Sequence, residues 1–390
     1  MTAAPPCAGV AKGDAALVAE VLDDYGRAAR DTLERYFAGN RRSPYLHDLV
    51  VDYPRRGGKM MRSSLCIAHA RAFGADIDKA LLTAAALEML HNGLLIHDDI
   101  QDGSEERRGR PTLQVLHGLP LALNAGDSLL LLALRPLMDN VGRLGEWLAL
   151  KVLLETEVMA RESAEGQALE LGWRDHNVTD VSEADYMEMV LKKTAWFSTI
   201  YPARAGALIG SNGRVDPDIF NSFGFFLGAA FQIQDDLLNL VGDANYGKEI
   251  GGDLYEGKRT LMLIHARQAC SPADRVTLDE LMALPRAQRT GDHVAWLRAA
   301  IDAAGSIEYA RGVAQALVGA ASYEFDRIYG GLPDSRDKRF IAAVIPWVLE
   351  RKLRGRSLFM APPGSAGVPS PRRSAMPGMT SSSPAAMPAR

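Results

Sequence analysis

Cysteine is scarce in this 390-residue chain, and its three cysteines, Cys7, Cys66 and Cys270, lie far apart. Such spacing fits neither a zinc cluster nor a disulfide framework, so we expect reduced thiols in a cytoplasmic protein. An excess of either charge is also missing, because 44 basic and 48 acidic residues give a net charge of −4. Nucleic-acid-binding proteins usually have a basic excess, so we expect no nucleic acid as a partner.

Long uninterrupted apolar runs are missing as well. The most apolar stretch, residues 129–134, ends at Arg135, far short of the roughly 20 residues that cross a bilayer. The first twenty residues contain Pro5, Pro6 and Lys12 and lack the apolar run of a signal peptide. The sequence therefore predicts no transmembrane segment and no targeting signal.

Alternating β-branched runs are nearly absent, whereas apolar residues recur at spacings of three and four in several long segments. These segments are residues 17–33, 80–96, 144–159, 186–209 and 220–240. They predict an all-α fold with a single domain over residues 14–360. Residues 361–390 hold seven of the twenty prolines and no acid, which predicts disorder, and residues 1–13 are expected to be flexible.

Two acidic patches follow apolar helical segments. In the first, residues 97–102, Asp98 and Asp102 lie four residues apart, so both carboxylates share one helical face. Asp235 and Asn239 repeat this spacing on a later helix. A single patch of this kind is more often a solvated acidic turn. Two patches at the ends of buried helices instead favour Mg²⁺ ions held around a diphosphate, because hard oxygen ligands suit this ion.

Basic residues occur close to these patches in the sequence. Lys59 and Arg62 lie one turn apart after a glycine pair, and a run containing Arg107, Arg108 and Arg110 follows the first patch. Arginine binds phosphate through paired hydrogen bonds, and lysine supplies a compact positive charge. Such a run alone is usually a surface charge cluster. Beside a metal and phosphate site it predicts a phosphate clamp.

With these motifs the chain resembles the trans-isoprenyl diphosphate synthases of the polyprenyl synthetase family, and within it the geranylgeranyl diphosphate synthases. The resemblance covers roughly residues 50–265 and follows the family's order of motifs. These are GGKxxR, HDDIQD with RRGRPT, NAGD, GQALEL, KKTA, FQIQDDLLNLVGD, GKEIGGDL and EGKRT. It implies a bundle of long helices around a central cavity, the isoprenoid synthase fold. It also implies Mg²⁺-dependent head-to-tail condensation of isopentenyl diphosphate with dimethylallyl, geranyl or farnesyl diphosphate.

The resemblance further implies a role for each matching residue. The Mg²⁺ ions, about three per active site, would be bound by Asp98, Asp102 and Asp235. The allylic diphosphate would be surrounded by Arg107, Lys193, Thr194, Gln232, Lys248 and Lys258. The isopentenyl diphosphate pocket would contain Lys59, Arg62, His91 and Arg108. A direct part in catalysis is implied for Asp98, Asp102, Arg107, Lys193, Asp235 and Lys248. A lone helical histidine such as His91 is otherwise more often a core residue.

Three positions depart from the pattern of the family. Met60 and Ser63 stand where many members have arginine and proline, which predicts weaker electrostatics in the isopentenyl pocket. Asn239 replaces an aspartate and keeps a carbonyl oxygen without the charge, as in the geranylgeranyl-type branch. The segment after residue 360 has no counterpart in the resemblance.

Product length is expected to depend on the side chains one turn before the first patch. Gly93 and Leu94 would form the first gate, and Leu130, Leu131 and Ala164 would lie further along the tunnel. Glycine at the gate predicts geranylgeranyl diphosphate as the main product, with farnesyl or geranylfarnesyl diphosphate as alternatives. Replacing Gly93 with phenylalanine would then shorten the product.

The apolar residues of two helical segments bear on assembly. Apolar residues in 121–134 and 152–159 exceed what one bundle needs, and the resemblance implies a homodimer through them.

Two other functions are alternatives. A class I terpene cyclase would also use a helical fold and Mg²⁺, but its usual second metal motif is absent. A non-catalytic synthase subunit tends to lose one aspartate motif, whereas this chain keeps both.

Overall fold

The structure is a computed structural model, and it describes residues 14–38, 43, 45–242 and 250–350. Within these residues the regular structure is helical except for one hairpin whose two strands have two residues each, which confirms the all-α prediction. The described residues belong to one compact unit. The predicted flexible and disordered ends, residues 1–13 and 361–390, lie outside the described residues, as does Lys248.

The first half of the described chain contains eight helices and the hairpin. They are α1 (Ala15–Ala38), α2 (His47–Arg55), α3 (Met61–Ala72), α4 (Ile77–Asp102), β1 (Glu106–Arg107), β2 (Arg110–Pro111), α5 (Leu113–His117), α6 (Leu119–Leu132), α7 (Leu134–Leu144) and α8 (Glu146–Asp175). β1 and β2 pair antiparallel, with Glu106 opposite Pro111 and Arg107 opposite Arg110.

The second half begins with α9 and continues into a wider helix. Its elements are α9 (Glu183–Val190), a π-helix (Leu191–Ile200), α10 (Tyr201–Gly210), α11 (Asn221–Val241), α12 (Gly252–Glu256), α13 (Leu261–Ala269), α14 (Pro272–Ala283), α15 (Gly291–Ala303), α16 (Ser306–Tyr329) and α17 (Arg336–Glu350). Short 3₁₀ turns cover Pro217–Phe220 and Arg286–Gln288.

Helices at the centre of the bundle are apolar on several faces and pack closely. α4 is buried along residues 82–89, as expected for a helix that is apolar all round. α3 and α10 approach backbone to backbone. A Cβ atom added to Gly206 would lie 2.4 Å from the carbonyl oxygen of Cys66. Any side chain at Gly206 would therefore push the two helices apart.

The π-helix depends on glycines in the two helices beside it. A Cβ atom at Gly166 of α8 would lie 2.2 Å from the backbone nitrogen of Lys193, and one at Gly228 of α11 would lie 2.6 Å from the Cα atom of Ala195. Wider helical turns of this kind are rare and are often found at functional sites. Here the turn presents Lys193 and Thr194 to a cavity between the helices.

Two helical stretches, residues 77–102 and 119–144, are long and apolar enough to cross a membrane by length and composition alone. Inspection of uninterrupted apolar runs did not predict them. In the first stretch 67% of the most apolar window is buried inside the protein, and in the second 39% is. Core helices of soluble proteins pass the same test, so the two stretches are weak evidence for membrane insertion.

Candidate active site

Both acidic patches face one cavity of about 610 Å³. Asp98 at the end of α4 and Asp235 on α11 line its wall, together with apolar side chains that include Leu94, Leu130 and Phe197. Its other polar lining residues include Arg62, His91, Gln101, Arg107, Gln167, Glu170, Lys193, Thr194, Gln232, Asp236, Asp253 and Lys258. Charged and apolar side chains thus line the same cavity.

Asp98 is surrounded by donors from three other elements. Its carboxylate lies 3.7 Å from Nη2 of Arg107 and 3.8 Å from Nζ of Lys193, and it accepts a hydrogen bond of 3.4 Å from Nε2 of Gln167. The two cations lie too far away for strong hydrogen bonds. The Asp98 carboxylate is therefore accessible to a further cation from the cavity.

Asp102, the other predicted metal ligand of the first patch, is already paired with cations. Arg174 donates to its Oδ1 atom over 2.6 Å, and Nζ of Lys258 lies 3.0 Å from its Oδ2 atom. Burial alone would raise the pKa of Asp102, but the charges of Lys258, Lys193 and Arg174 hold it well below the ordinary value. In this arrangement Asp102 compensates buried cations rather than lining the cavity.

Asp99 has a structural role that was not predicted from the sequence: it holds Arg107 in place. Its fully buried carboxylate accepts hydrogen bonds of 3.0 Å from Nε of Arg107 and 2.6 Å from the hydroxyl of Tyr53. Burial opposes the charge of Arg107, yet Asp99 and Asp98 raise the pKa of its guanidinium above the ordinary value. Arg107 is therefore a fixed cation next to Asp98. The sequence gives one indication of this role, because Asp99 lies between the predicted ligands Asp98 and Asp102.

The second patch contains a chain of hydrogen bonds that starts on the π-helix. Thr194 donates to Gln232 over 2.7 Å, and Gln232 and Tyr186 donate to the Asp236 carboxylate over 2.7 and 2.8 Å. Burial and the nearby charges of Asp253 and Asp235 raise the pKa of Asp236 to about 8. Burial contributes most to this rise, and the two neighbouring carboxylates add repulsion between negative charges. Added positive charge would relieve it.

Asn239, four residues after Asp235, binds the following loop and does not line the cavity. Its side-chain oxygen accepts a hydrogen bond of 3.1 Å from the backbone of Asp253, and its carbonyl accepts one of 2.8 Å from Gly251. An amide does this without adding a charge beside Asp253. Asn239 and Asp102 therefore share their spacing from an aspartate four residues earlier, but they do not share their contacts.

Two buried lysines stand beside the patches, each held by carboxylates. Lys193 pairs with Glu170 at 2.7 Å, and Lys258 pairs with Glu256 at 2.7 Å and with Asp102 at 3.0 Å. Burial opposes their charge, but these carboxylates raise the pKa of both ammonium groups. Both lysines are therefore permanent cations in the cavity wall.

The donor set of the cavity fits Mg²⁺. Asp98 and Asp235 supply carboxylate oxygens to one space, Asp253 and Asp235 repel the Asp236 carboxylate, and none of the described cysteines lines the cavity. Among the described residues no group of three or more His, Cys, Asp or Glu is arranged to hold a metal by itself. Such a site suits Mg²⁺ ions that also bind substrate phosphates and water.

Of the predicted isopentenyl pocket, Arg62 and His91 line the cavity, whereas Lys59 and Arg108 do not. Arg62 donates to Ser198 over 2.8 Å, and its Nη1 atom lies 3.4 Å from Nε2 of His91. Nζ of Lys59 lies 5.5 Å from the ring of Trp347 on α17. Two of the four predicted residues therefore line the cavity, and Arg108 lies close enough to His91 for its charge to act on that side chain.

The two unusual residues of the first basic motif are turned away from the cavity. Met60 has a left-handed backbone with φ of 51° and packs against α1, where a Cβ atom at Gly26 would lie 2.9 Å from its own Cβ atom. Ser63 donates to the buried Glu88 over 2.8 Å. These substitutions thus change packing and hydrogen bonding around α3 rather than adding groups to the cavity.

His91 is expected to act as a neutral side chain. Burial and the nearby charges of Arg62, Arg108 and Arg107 lower its pKa well below the ordinary value. With the role in isopentenyl diphosphate binding that the resemblance implies, we expect His91→Gln, which keeps a hydrogen-bonding side chain, to hold the KM for that substrate within about threefold, and His91→Ala to raise it about tenfold. Steady-state kinetics from pH 6 to 8 check this. A protonation step in this range that disappears in His91→Gln would contradict it.

The residues predicted to set product length divide into two groups. Leu94, Leu130 and Ala164 line the cavity. Gly93 instead faces α6, because a Cβ atom there would lie 2.8 Å from Cδ2 of Leu130. Leu131 is 68% exposed. For these two the placement differs from the prediction, because helical spacing from the first patch does not show which neighbouring helix each residue faces.

A family model of polyprenyl synthetases matches residues 43–300, which is more than half of the chain. The chain therefore belongs to the polyprenyl synthetase family and is an enzyme, a prenyltransferase.

Similar proteins agree with this membership. A short chain isoprenyl diphosphate synthase from Methanothermobacter thermautotrophicus is 36% identical over 76% of this chain and 87% of its own. An octaprenyl diphosphate synthase from Escherichia coli is 32% identical over 65% of this chain and 75% of its own. The crystal structure of a geranylgeranyl pyrophosphate synthase from Corynebacterium glutamicum, complexed with isoprenyl diphosphate and magnesium, matches with a TM-score of 0.75 and 26% identity. That match covers 85% of this chain and 99% of the other.

Proposed function

We propose that this protein condenses isopentenyl diphosphate head to tail with dimethylallyl, geranyl or farnesyl diphosphate, releases diphosphate, and gives mainly geranylgeranyl diphosphate. The observation that carries the proposal is the meeting of both aspartate motifs in one cavity with Arg107, Lys193 and Lys258. A relative that bears the name geranylgeranyl pyrophosphate synthase and was solved with magnesium supports both the product and the ion.

Positive charge at the cavity would promote ionisation of the allylic diphosphate. Bound Mg²⁺, held by Asp98 and Asp235, would neutralise the leaving diphosphate. Asp102, a ligand by its motif, is paired with Arg174 and Lys258 and would have to exchange one of them to bind the ion. Arg107, Lys193 and Lys258 are fixed by buried carboxylates, so they would meet the developing charge without first reorganising. Thr194 and Gln232 would orient the same diphosphate. Lys248 stays a proposal based on its motif, since it lies outside the described residues.

The apolar part of the cavity would protect the allylic cation from water. Leu94, Leu130 and Phe197 line it, so the cation would persist until the double bond of isopentenyl diphosphate attacks. Arg62 and His91 would bind that second substrate, with Lys59 and Arg108 as outer contributors. The family resemblance assigns the final proton to the released diphosphate.

The test is an assay of the purified chain with isopentenyl diphosphate, each allylic diphosphate and Mg²⁺. Formation of a longer prenyl diphosphate, abolished by EDTA and restored by added Mg²⁺, supports the proposal. Hydrocarbon released from a prenyl diphosphate without isopentenyl diphosphate would indicate a terpene cyclase. Failure of every primer would indicate a non-catalytic subunit.

We also propose that residues 14–360 form the catalytic domain, that residues 361–390 are dispensable, and that the enzyme works in the cytoplasm. The described helices from Ala15 to Glu350 support the domain assignment. A chain ending at residue 360 that keeps full activity would bear this out.

A homodimer is proposed on the basis of an apolar face formed by α6, α7 and α8. Its exposed apolar residues include Leu123, Leu131, Leu134, Met138, Val141, Trp147, Leu150 and Leu154. Isolated exposed apolar residues are common, but a concentration of them on three consecutive helices favours an interface.

Multi-angle light scattering at micromolar concentration is expected to give twice the chain mass of 42.3 kDa. Met138→Glu, which places a charge in the apolar face, should shift the protein toward the monomer. Val276→Glu is the matched control, because Val276 is similarly exposed on α14. A monomer in the unaltered protein would contradict the proposal.

A further inference from the structure

The hairpin that carries Arg107 and Arg108 is too small to hold its own shape. Each strand has two residues, and the two residues between them, Arg108 and Gly109, have positive φ angles of 57° and 72°. An arginine rarely adopts this backbone without support from surrounding structure. Support must therefore come from outside the hairpin.

The guanidinium of Arg56, just after α2, supplies that support. Its Nη1 atom donates to the carbonyl oxygens of Arg107 and Arg110 over 3.2 and 3.4 Å, and its Nη2 atom donates to that of Pro111 over 2.9 Å. Its Nε atom pairs with Asp52, and only 1% of the side chain is exposed. A planar guanidinium can hold several carbonyls at once in a fixed geometry.

The end of α2 also holds the side chains of the hairpin. The carbonyl of Tyr53 accepts a hydrogen bond of 2.9 Å from Arg108, and the hydroxyl of Tyr53 holds the Asp99 carboxylate that binds Arg107. Residues 53–56 thus fix the backbone through Arg56 and both guanidinium groups through Tyr53.

We propose that Arg56 is a positioning residue for diphosphate binding, which aims Arg107 at the allylic diphosphate and Arg108 at the isopentenyl diphosphate. This inference rests on the proposed function, because it needs both arginines to bind substrate. Loss of Arg56 should therefore weaken binding of both substrates while leaving the aspartates and lysines of the cavity in place.

Arg55 provides a matched control next to Arg56. It has the same side chain one residue earlier, but 52% of that side chain is exposed and it pairs with Glu34 on α1. Replacing either arginine with methionine removes one positive charge and keeps similar length. A difference between the two variants therefore reports the hydrogen bonds to the hairpin.

The experiment compares Arg56→Met, Arg56→Lys and Arg55→Met with the unaltered enzyme. We expect Arg56→Met to raise the KM of both substrates and the inhibition constant of inorganic diphosphate about tenfold, with kcat reduced less than threefold. Arg56→Lys should recover only part of the loss, because lysine keeps the positive charge but a compact ammonium cannot span three carbonyls. Arg55→Met should behave like the unaltered enzyme.

Two further measurements separate positioning from general destabilisation. Hydrogen exchange should become faster at residues 106–111 in Arg56→Met and stay unchanged in the π-helix. In an Arg107→Met background, Arg56→Met should raise the KM of the allylic substrate much less than it does alone, since the side chain that it aims is gone.

Equal KM values in Arg56→Met and Arg55→Met would overturn the inference. So would a full effect of Arg56→Met in the Arg107→Met background. If Arg56→Met does not fold, Arg56→Lys decides, and KM values unchanged from the unaltered enzyme would overturn the inference. An unaltered enzyme without condensation activity would instead refute the proposed function, which keeps the two failures distinct.

Discussion

Replacing Asp98 or Asp235 with alanine is expected to lower kcat by about 10²-fold to 10³-fold at saturating Mg²⁺. Each carboxylate lines the cavity, where it could reach a bound cation. The free energy of unfolding should change little. Asp235 is one of the charges that raise the pKa of Asp236, so its removal relieves repulsion. The measurements are kcat and thermal unfolding without metal.

A matched control is Asp292→Ala, because Asp292 is an exposed carboxylate on α15. It should leave kcat and its dependence on Mg²⁺ unchanged. Asp98→Ala or Asp235→Ala with activity close to that of the unaltered enzyme would refute the metal assignment. A shift of the half-saturating Mg²⁺ concentration in a more conservative variant, Asp235→Asn, would strengthen it.

Product length is expected to change most when Leu94 or Leu130 is replaced. Each added isoprene unit needs roughly 5 Å of depth, about one helical turn. Leu94→Phe should fill part of the cavity and shift the main product toward farnesyl diphosphate. Leu130→Ala should remove wall volume and shift it toward geranylfarnesyl diphosphate. Chromatography of the dephosphorylated products measures both shifts.

Gly93→Phe is a less direct test than the sequence predicts. A Cβ atom at Gly93 would already lie 2.8 Å from Leu130 and 3.1 Å from the carbonyl of Gly126, so a phenyl ring must displace α6. We expect it to destabilise the protein as well as to push Leu130 into the cavity. Leu131→Ala is the control for both leucine variants, since Leu131 faces outward. Products unchanged in Leu94→Phe and in Leu130→Ala would mean that the tunnel runs elsewhere.

The sequence was sufficient for the features that depend on spacing within one helix. The helical period placed apolar residues inside the bundle, and the ordered motifs included residues that line the cavity, such as Asp98, Lys193 and Asp235. Spacing could not show which element stands opposite each side chain. Asp98 and Asp102 share a face by spacing, yet Arg174 and Lys258 reach only Asp102 over short distances. The partners of Asp99 and the support of the hairpin by Arg56 likewise depend on contacts between elements.

The π-helix also restricts how this chain can change in length. Its wider turns take up more residues than α-helical turns of the same height, and each residue of an α-helix advances by about 100°. A one-residue insertion or deletion that leaves these wider turns as they are would rotate every following residue by about 100° relative to Lys193. Gly206, which packs on α3, and Arg204, which pairs with Glu155 at 2.6 Å, would then face the wrong neighbours. Insertions and deletions should therefore be tolerated poorly here, even where single substitutions are accepted.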